Sequence, residues 1–218
     1  MKRIFFSVVL MVLIFTSASA FADPAYNWTG FYLGLQGSYD VGSSDWDFPN
    51  AGTHTDHVLK GGMGGLLVGY NYQTPVNVVV GIETDINYGK ITGSSNCPGL
   101  GFSCNSEVNW AGSTRARVGY AINRFLPYIA VGVAYIRADL RGDIIATGTE
   151  FTSTRNNYIG WTPSIGLEFA ITNNLLARAE YAYYYFGKNS VVLSPPDGET
   201  VDSKIAFQGF KFGLSWKF

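Results

Sequence analysis

Apolar and polar residues alternate with a period of two along most of this chain. Val78, Val80, Ile82, Thr84, Ile86 and Tyr88 share one side of a stretch whose other side is Val79, Gly81, Glu83, Asp85 and Asn87. The last stretch repeats this: Phe210, Phe212, Leu214, Trp216 and Phe218 alternate with Gly209, Lys211, Gly213, Ser215 and Lys217. A period of two predicts β-strands with one apolar and one polar or small face.

The same alternation predicts eight strands after the first two dozen residues. Their approximate bounds are 28–39, 62–72, 78–88, 107–120, 127–139, 158–170, 175–186 and 205–218. The apolar faces are predicted to carry Phe31, Leu33 and Leu35; Leu66, Val68, Tyr70 and Tyr72; Val108, Trp110, Ala116, Val118 and Tyr120; Ile129, Val131, Val133 and Tyr135. They continue with Trp161, Ile165, Leu167 and Phe169, then Ala177, Ala179, Tyr181, Tyr183 and Tyr185. The connections alternate between long (40–60, 90–106, 141–156, 188–204) and short (73–77, around Asn123, 172–174). Eight strands close a small barrel, and long loops alternating with short turns are the habit of transmembrane barrels. We therefore expect an all-β, eight-stranded antiparallel transmembrane β-barrel with both termini in the periplasm. A soluble lipocalin-like barrel would need its apolar rings inside, where eight strands leave too little room.

The chain opens with Lys2 and Arg3, an apolar run from Ile4 to Phe15 broken by Ser7, and small residues around Ala18-Ser19-Ala20 and Ala20-Phe21-Ala22. This is the pattern of a secretory signal peptide, and the apolar run is short for a membrane helix. The expected division is a signal peptide over 1–22 and a barrel domain over 23–218. The run from Lys211 through Gly213 and Trp216 to Phe218 resembles the C-terminal sorting signal of bacterial outer-membrane barrels. That resemblance implies the barrel-assembly machinery as a partner, and lipid and lipopolysaccharide as surroundings.

Composition sharpens the picture. Charged residues make up only 14% of the 218 residues, aromatics 16%, and glycines number 26. Few charges and many rings suit an apolar exterior with aromatic girdles, and glycine suits a tight interior. A net charge of −1 carries no basic surplus to attract nucleic acid. The two cysteines, Cys97 and Cys104, suit an oxidising compartment and are expected to clasp the second long loop as a disulfide, with a metal pair as the alternative.

The polar faces carry acids and bases at matching heights. Glu83 and Asp85 face Arg115 and Arg117 across one predicted hairpin, and Glu168 faces Arg178 across another, with Glu180 beside it. Pairing Glu83 with Arg117 and Asp85 with Arg115 centres the intervening loop near residue 100. Such charges on the lipid side would cost about 2–4 kcal/mol each for a base at the midplane. Inside, paired, they would fill the lumen and pin the register. The alternatives are a selectivity constriction in a narrow pore, or a catalytic carboxylate pair without a visible cleft.

Trp28-Thr29-Gly30-Phe31-Tyr32-Leu33-Gly34-Leu35-Gln36-Gly37 resembles the start of the small OmpA-like, opacity-type porin-family proteins of the outer membrane. Gly64-Gly65-Leu66-Leu67-Val68-Gly69-Tyr70-Asn71-Tyr72, Leu126-Pro127-Tyr128 and Arg178-Ala179-Glu180-Tyr181 look like further strands of that family. The resemblance implies an integral barrel of a Gram-negative outer membrane, with a role in envelope integrity and as a surface antigen. Some members are weak porins, and some relatives bind haemin. It implies no catalytic residue and no cofactor, and no peptidoglycan-binding domain is expected.

His54 and His57, with Asp56 between, are the weak metal or haem candidates in the first long loop. Two ligands are few for either, and neither histidine has a recognisable nucleophile partner for catalysis. The expected role is structural and surface-displaying, with a narrow diffusion pore or a loop-borne receptor or adhesin for a host or surface ligand as alternatives.

Overall fold

The computed structural model describes residues 26–48, 53–96, 102–144, 149–192 and 200–218. These residues form a closed antiparallel barrel in which every strand pairs with its sequence neighbours and β1 pairs with β8. The strands are β1 (Gly30–Phe48), β2 (Thr53–Gln73), β3 (Val78–Asn96), β4 (Phe102–Tyr120), β5 (Phe125–Ile144), β6 (Thr149–Ala170), β7 (Leu175–Val192) and β8 (Thr200–Lys217). Among the described residues no helix is long and apolar enough to cross a membrane.

The outward face is the predicted apolar one. Phe31, Leu35, Ile82, Tyr88, Ile129, Ile165, Phe212 and Phe218 are all exposed, although each is large and apolar. In water such a continuous apolar surface would drive association. Around a barrel it is the lipid contact. Tyr39, Tyr88, Trp110, Tyr135 and Trp161 ring one end of the apolar band, and Phe31, Tyr72, Tyr120, Phe125, Phe169 and Trp216 the other. Local ring pairs tie neighbouring strands along this face, among them Phe31–Tyr70 and Phe125–Phe169, each with centroids 4.7 Å apart.

Three short turns join the strands at the second rim. Asn77 and Asn123 adopt positive φ there, at 64° and 52°. Asparagine is one of the few side-chain-bearing residues that tolerate this region.

Three expectations need correction. The stretches read as long loops are mostly strand: β1 and β2 continue through most of 40–60, and the other three long connections likewise continue as paired hairpins. Their side chains alternate less cleanly, because beyond the lipid both faces tolerate polar groups, and so the period-two signal fades. The register of β3 on β4 is displaced by two residues: Glu83 pairs with Arg115 and Gly81 with Arg117. Between Tyr88 and Ile91 the register shifts by one, so near the tip, where Ser95 pairs with Cys104, the displacement is a single residue. Val108 points inward and is fully buried, because β4 is irregular between Val108 and Trp110 and its alternation inverts there.

Candidate functional site: a charged lumen between two apolar layers

The barrel interior is stratified. At the rim of short turns, Trp28, Val79, Ala121, Leu126, Ala170 and Leu176 pack as one apolar cluster together with Tyr26. The segment before β1 supplies the two rings, Tyr26 and Trp28, which meet edge to face at 4.8 Å. It is tied across the mouth: Trp28 Nε1 donates to the Asn123 carbonyl at 3.3 Å, and the Tyr26 hydroxyl to the Asn173 carbonyl at 3.0 Å. Gln73 Oε1 accepts from the Trp28 amide, and Lys217 donates to the Asn27 carbonyl.

At the other end of the lumen lies a second apolar cluster, including Leu59, Ile91, Val108, Ile136, Tyr158 and Ile205. Tyr184, Phe186 and Phe207 stack there, with Tyr184 and Phe207 centroids 4.7 Å apart.

Between the two layers sit the charges. Glu83, Asp85, Arg115, Arg117, Glu168, Arg178, Glu180 and Lys211 are each at most 5% exposed. These four acids and four bases cancel in net charge. Arg115 bridges Glu83 at 2.7 Å and Glu180 at 2.6 Å, with Asp85 at 3.4 Å. Arg117 grips both oxygens of Glu168, at 3.0 and 2.9 Å. Arg178 reaches Glu168 at 2.8 Å and also Glu83. Lys211 lies 3.7 Å from Asp85, with its ammonium 5.2 Å from the Tyr184 ring centroid.

The network spans the lumen from wall to wall. Glu83 on β3 touches Arg178 on β7, and Arg117 on β4 touches Glu168 on β6. Alternation brings these side chains inward, and the stagger of strands in a closed barrel sets their height. All seven residues named from the sequence as a lumen network lie here, with the Glu83–Arg117 pair now diagonal at 3.4 Å.

Sequence reasoning missed the neutral partners. The Tyr32 hydroxyl donates to Glu83 at 2.8 Å, and that of Tyr128 to Glu180 at 2.7 Å. Ser113 and Asn87 donate to Asp85 at 2.5 and 2.6 Å, and Arg115 donates to Ser164 at 2.9 Å. Their signal was the inward parity of Tyr32 and Tyr128, together with Gly69 and Gly166. A Cβ on either glycine would overlap the ring of Tyr32 or Tyr128, respectively, so the two glycines open the space these rings occupy.

Other candidates lie elsewhere. His54 and His57 fall on β2, across from Asp47 and Ser44 on β1, and their side chains are outside the described residues. Among the described residues no group of three or more His, Cys, Asp or Glu could hold a metal. Cys104 is on β4 across from Ser95, whereas Cys97, and with it the expected disulfide, lies outside the described residues. Gly213, Trp216 and Phe218 lie on or just after β8, with both aromatics outward.

A closed barrel with a lipid-facing apolar band, aromatic rims and a charged interior defines an integral outer-membrane β-barrel protein. Its sequence places it more narrowly. The chain belongs to the family described as outer membrane protein beta-barrel domain, whose sequence model matches residues 8–218. It is similar to the 31 kDa outer-membrane immunogenic protein of Brucella melitensis, 33% identical over 208 residues, 88% of this chain and 85% of that one. The 25 kDa outer-membrane immunogenic protein of the same organism is 32% identical, covering 89% of this chain and 81% of that one. The 22 kDa outer membrane protein of Rhizobium leguminosarum is 35% identical over 73% of this chain and 65% of its own. In fold the barrel is similar to the outer membrane protein OprG of Pseudomonas aeruginosa, with a TM-score of 0.56 and 13% identity over 90% of this chain and 99% of that one.

Proposed function

We propose that this protein is a sealed structural barrel that stabilises the outer membrane and holds four extended hairpins at the cell surface. The single observation that supports this most is the stratified lumen: charges bonded wall to wall, between two apolar layers. An ion entering would have to break several of these pairs and cross both layers. Eight strands give an interior that side chains can fill.

In this reading residues 1–22 are removed on export, and the rest forms the barrel. The short turns and both termini face the periplasm, as in other bacterial barrels. Lys211, Gly213, Trp216 and Phe218 serve as the assembly signal read by the barrel-assembly machinery. The Brucella relatives are named as immunogenic, and hairpin tips on long stalks would be the part of this protein displayed. Catalysis has no part in this reading.

Two measurements test it. Refolded protein in a planar bilayer is expected to give no steady channels; reproducible single-channel steps in the wild type would make it a narrow pore instead. In a cysteine-free background, Ser94→Cys should react with an impermeant maleimide on intact cells, and Thr172→Cys only after lysis. The reverse pattern would overturn the orientation.

A further inference from the structure

The outer surface of β1–β3 carries a feature that the sealed lumen does not explain. Gly37, Gly62 and Gly64 all face outward and are exposed or nearly so. Gly37 pairs directly with Gly64, and Gly62 with Tyr39. None of the three is needed by the backbone. A Cβ would meet nothing nearer than 3.8 Å at Gly37 and Gly64, or 3.4 Å at Gly62, and none has positive φ. The result is a strip bare of side chains on the lipid face. Tyr39 borders it on β1, Tyr88 on β3, and the Leu35–Leu66 pair closes its lower end.

Two cations stand at its upper end. Lys90 pairs with Gly62 across β2–β3, and Lys60 with Thr92, so the two lysines are diagonal neighbours on the same face. Diagonal neighbours sit roughly 7–8 Å apart, within joint reach of one small anion. Lys90 is 73% exposed, and Glu107, which it meets at 3.2 Å, is 23% exposed. Above them runs a groove of about 540 Å³, lined by Lys60, Thr92, Ser94, Asn105, Glu107 and Asp139 among others. Its walls offer hydroxyl, amide and carboxylate groups, the chemistry that binds sugar hydroxyls. The Asp139 carboxylate is 6% exposed beneath Arg155, at 2.6 Å, so it adds little free negative charge to the mouth.

We propose that β1–β3 form a seat for one phosphorylated glycolipid of the outer leaflet. Its phosphate lies between Lys60 and Lys90, its sugar in the polar groove, and one acyl chain along the glycine strip between Tyr39 and Tyr88. The height fits, because the lysines lie just beyond the aromatic rim, where headgroups begin. This rests on the orientation proposed above, which the maleimide labelling tests separately.

The test uses the full-length barrel refolded in detergent and supplied with purified lipopolysaccharide, with retention read by native mass spectrometry. Wild type should keep one glycolipid per barrel, and inorganic phosphate in excess should not displace it. Lys60→Ala with Lys90→Ala should weaken retention at least tenfold, and enzymatic removal of the lipid phosphates should match that loss. Gly62→Leu with Gly64→Leu, which fills the strip and leaves both lysines, should weaken it severalfold. Heat-modifiable gel mobility checks folding, and Gly62→Ala is the milder substitute if the leucines prevent it. Equal retention by wild type and the lysine variant, or equal retention of phosphatidylglycerol, would overturn the proposal. Displacement by phosphate alone would reduce the site to a simple anion site and overturn it too.

Discussion

The guanidinium of Arg117 lies 3.9 Å from the centroid of the Tyr128 ring while it holds both oxygens of Glu168. One cation is thus committed to a face-on aromatic contact and a two-pronged ion pair at once, with almost none of it exposed. Arginine suits this place because its planar fork holds both carboxylate oxygens while its face lies on the ring, whereas a lysine ammonium would meet the carboxylate as a point charge. Replacing Arg117 by Ala leaves Glu168 short of a buried partner, and losses of about 3–5 kcal/mol are usual for such breaks. Urea unfolding of the refolded barrel should show a lower midpoint. Arg117→Met with Glu168→Leu should recover part of that loss. If the double replacement were as unstable as the single one, the penalty would not come from an unpaired charge.

Gly166 is where the Tyr128 ring passes over the wall. Gly166→Val would force that ring aside, break its 2.7 Å bond to Glu180, and disturb Arg117 with it. Overpacking of this kind costs about 1–3 kcal/mol, and the lost hydrogen bond to a charged group about 1.5–3 more. Gly37→Val, on the open outer face, should cost far less. Comparing the two urea midpoints separates lumen crowding from a general intolerance of β-branched residues.

Trp28 is fully buried and holds the segment before β1 across the lower mouth. Trp28→Ala should destabilise the barrel by about 3–5 kcal/mol, as large-to-small changes of buried aromatics do. It should also let a protease cut near residue 27 in detergent. The bilayer should stay silent, because the charged layer above remains whole; steady conductance in this variant alone would identify the lower cluster as the true seal.

The register itself is testable on the outer face. The Thr84 and Thr114 hydroxyls are 3.2 Å apart as cross-strand partners. Thr84→Cys with Thr114→Cys should cross-link under mild oxidation, and Thr84→Cys with Ala116→Cys should not. The second pair is the one that the sequence-based register would bring together.

Most of the transmembrane barrel was readable from alternation alone, because lipid on one side and a packed lumen on the other impose opposite chemistry on successive residues. That is why Val78 to Tyr88 and Phe210 to Phe218 could be assigned faces residue by residue. The signal failed where that contrast weakens. Val108 was misplaced because one irregular residue inverts a period-two pattern, and periodicity cannot show a bulge. The two-residue slip of Glu83 has the same origin, compounded by a turn whose centre the polar sequence did not mark. Identities and parity named the charged residues, but pairs such as Arg178–Glu83 cross the lumen. They depend on barrel closure, which no single hairpin reveals.

The hairpins keep their pairing well past the aromatic rim. β3 alone has 19 residues. At about 3.3 Å per residue and a tilt near 40°, that gives roughly 45–50 Å of height, against an apolar band of about 25 Å. Much of each hairpin therefore stands clear of the bilayer as paired strand. In the proposed orientation, a substitution on the hairpins beyond the rim is expected to leave the membrane-spanning wall unchanged.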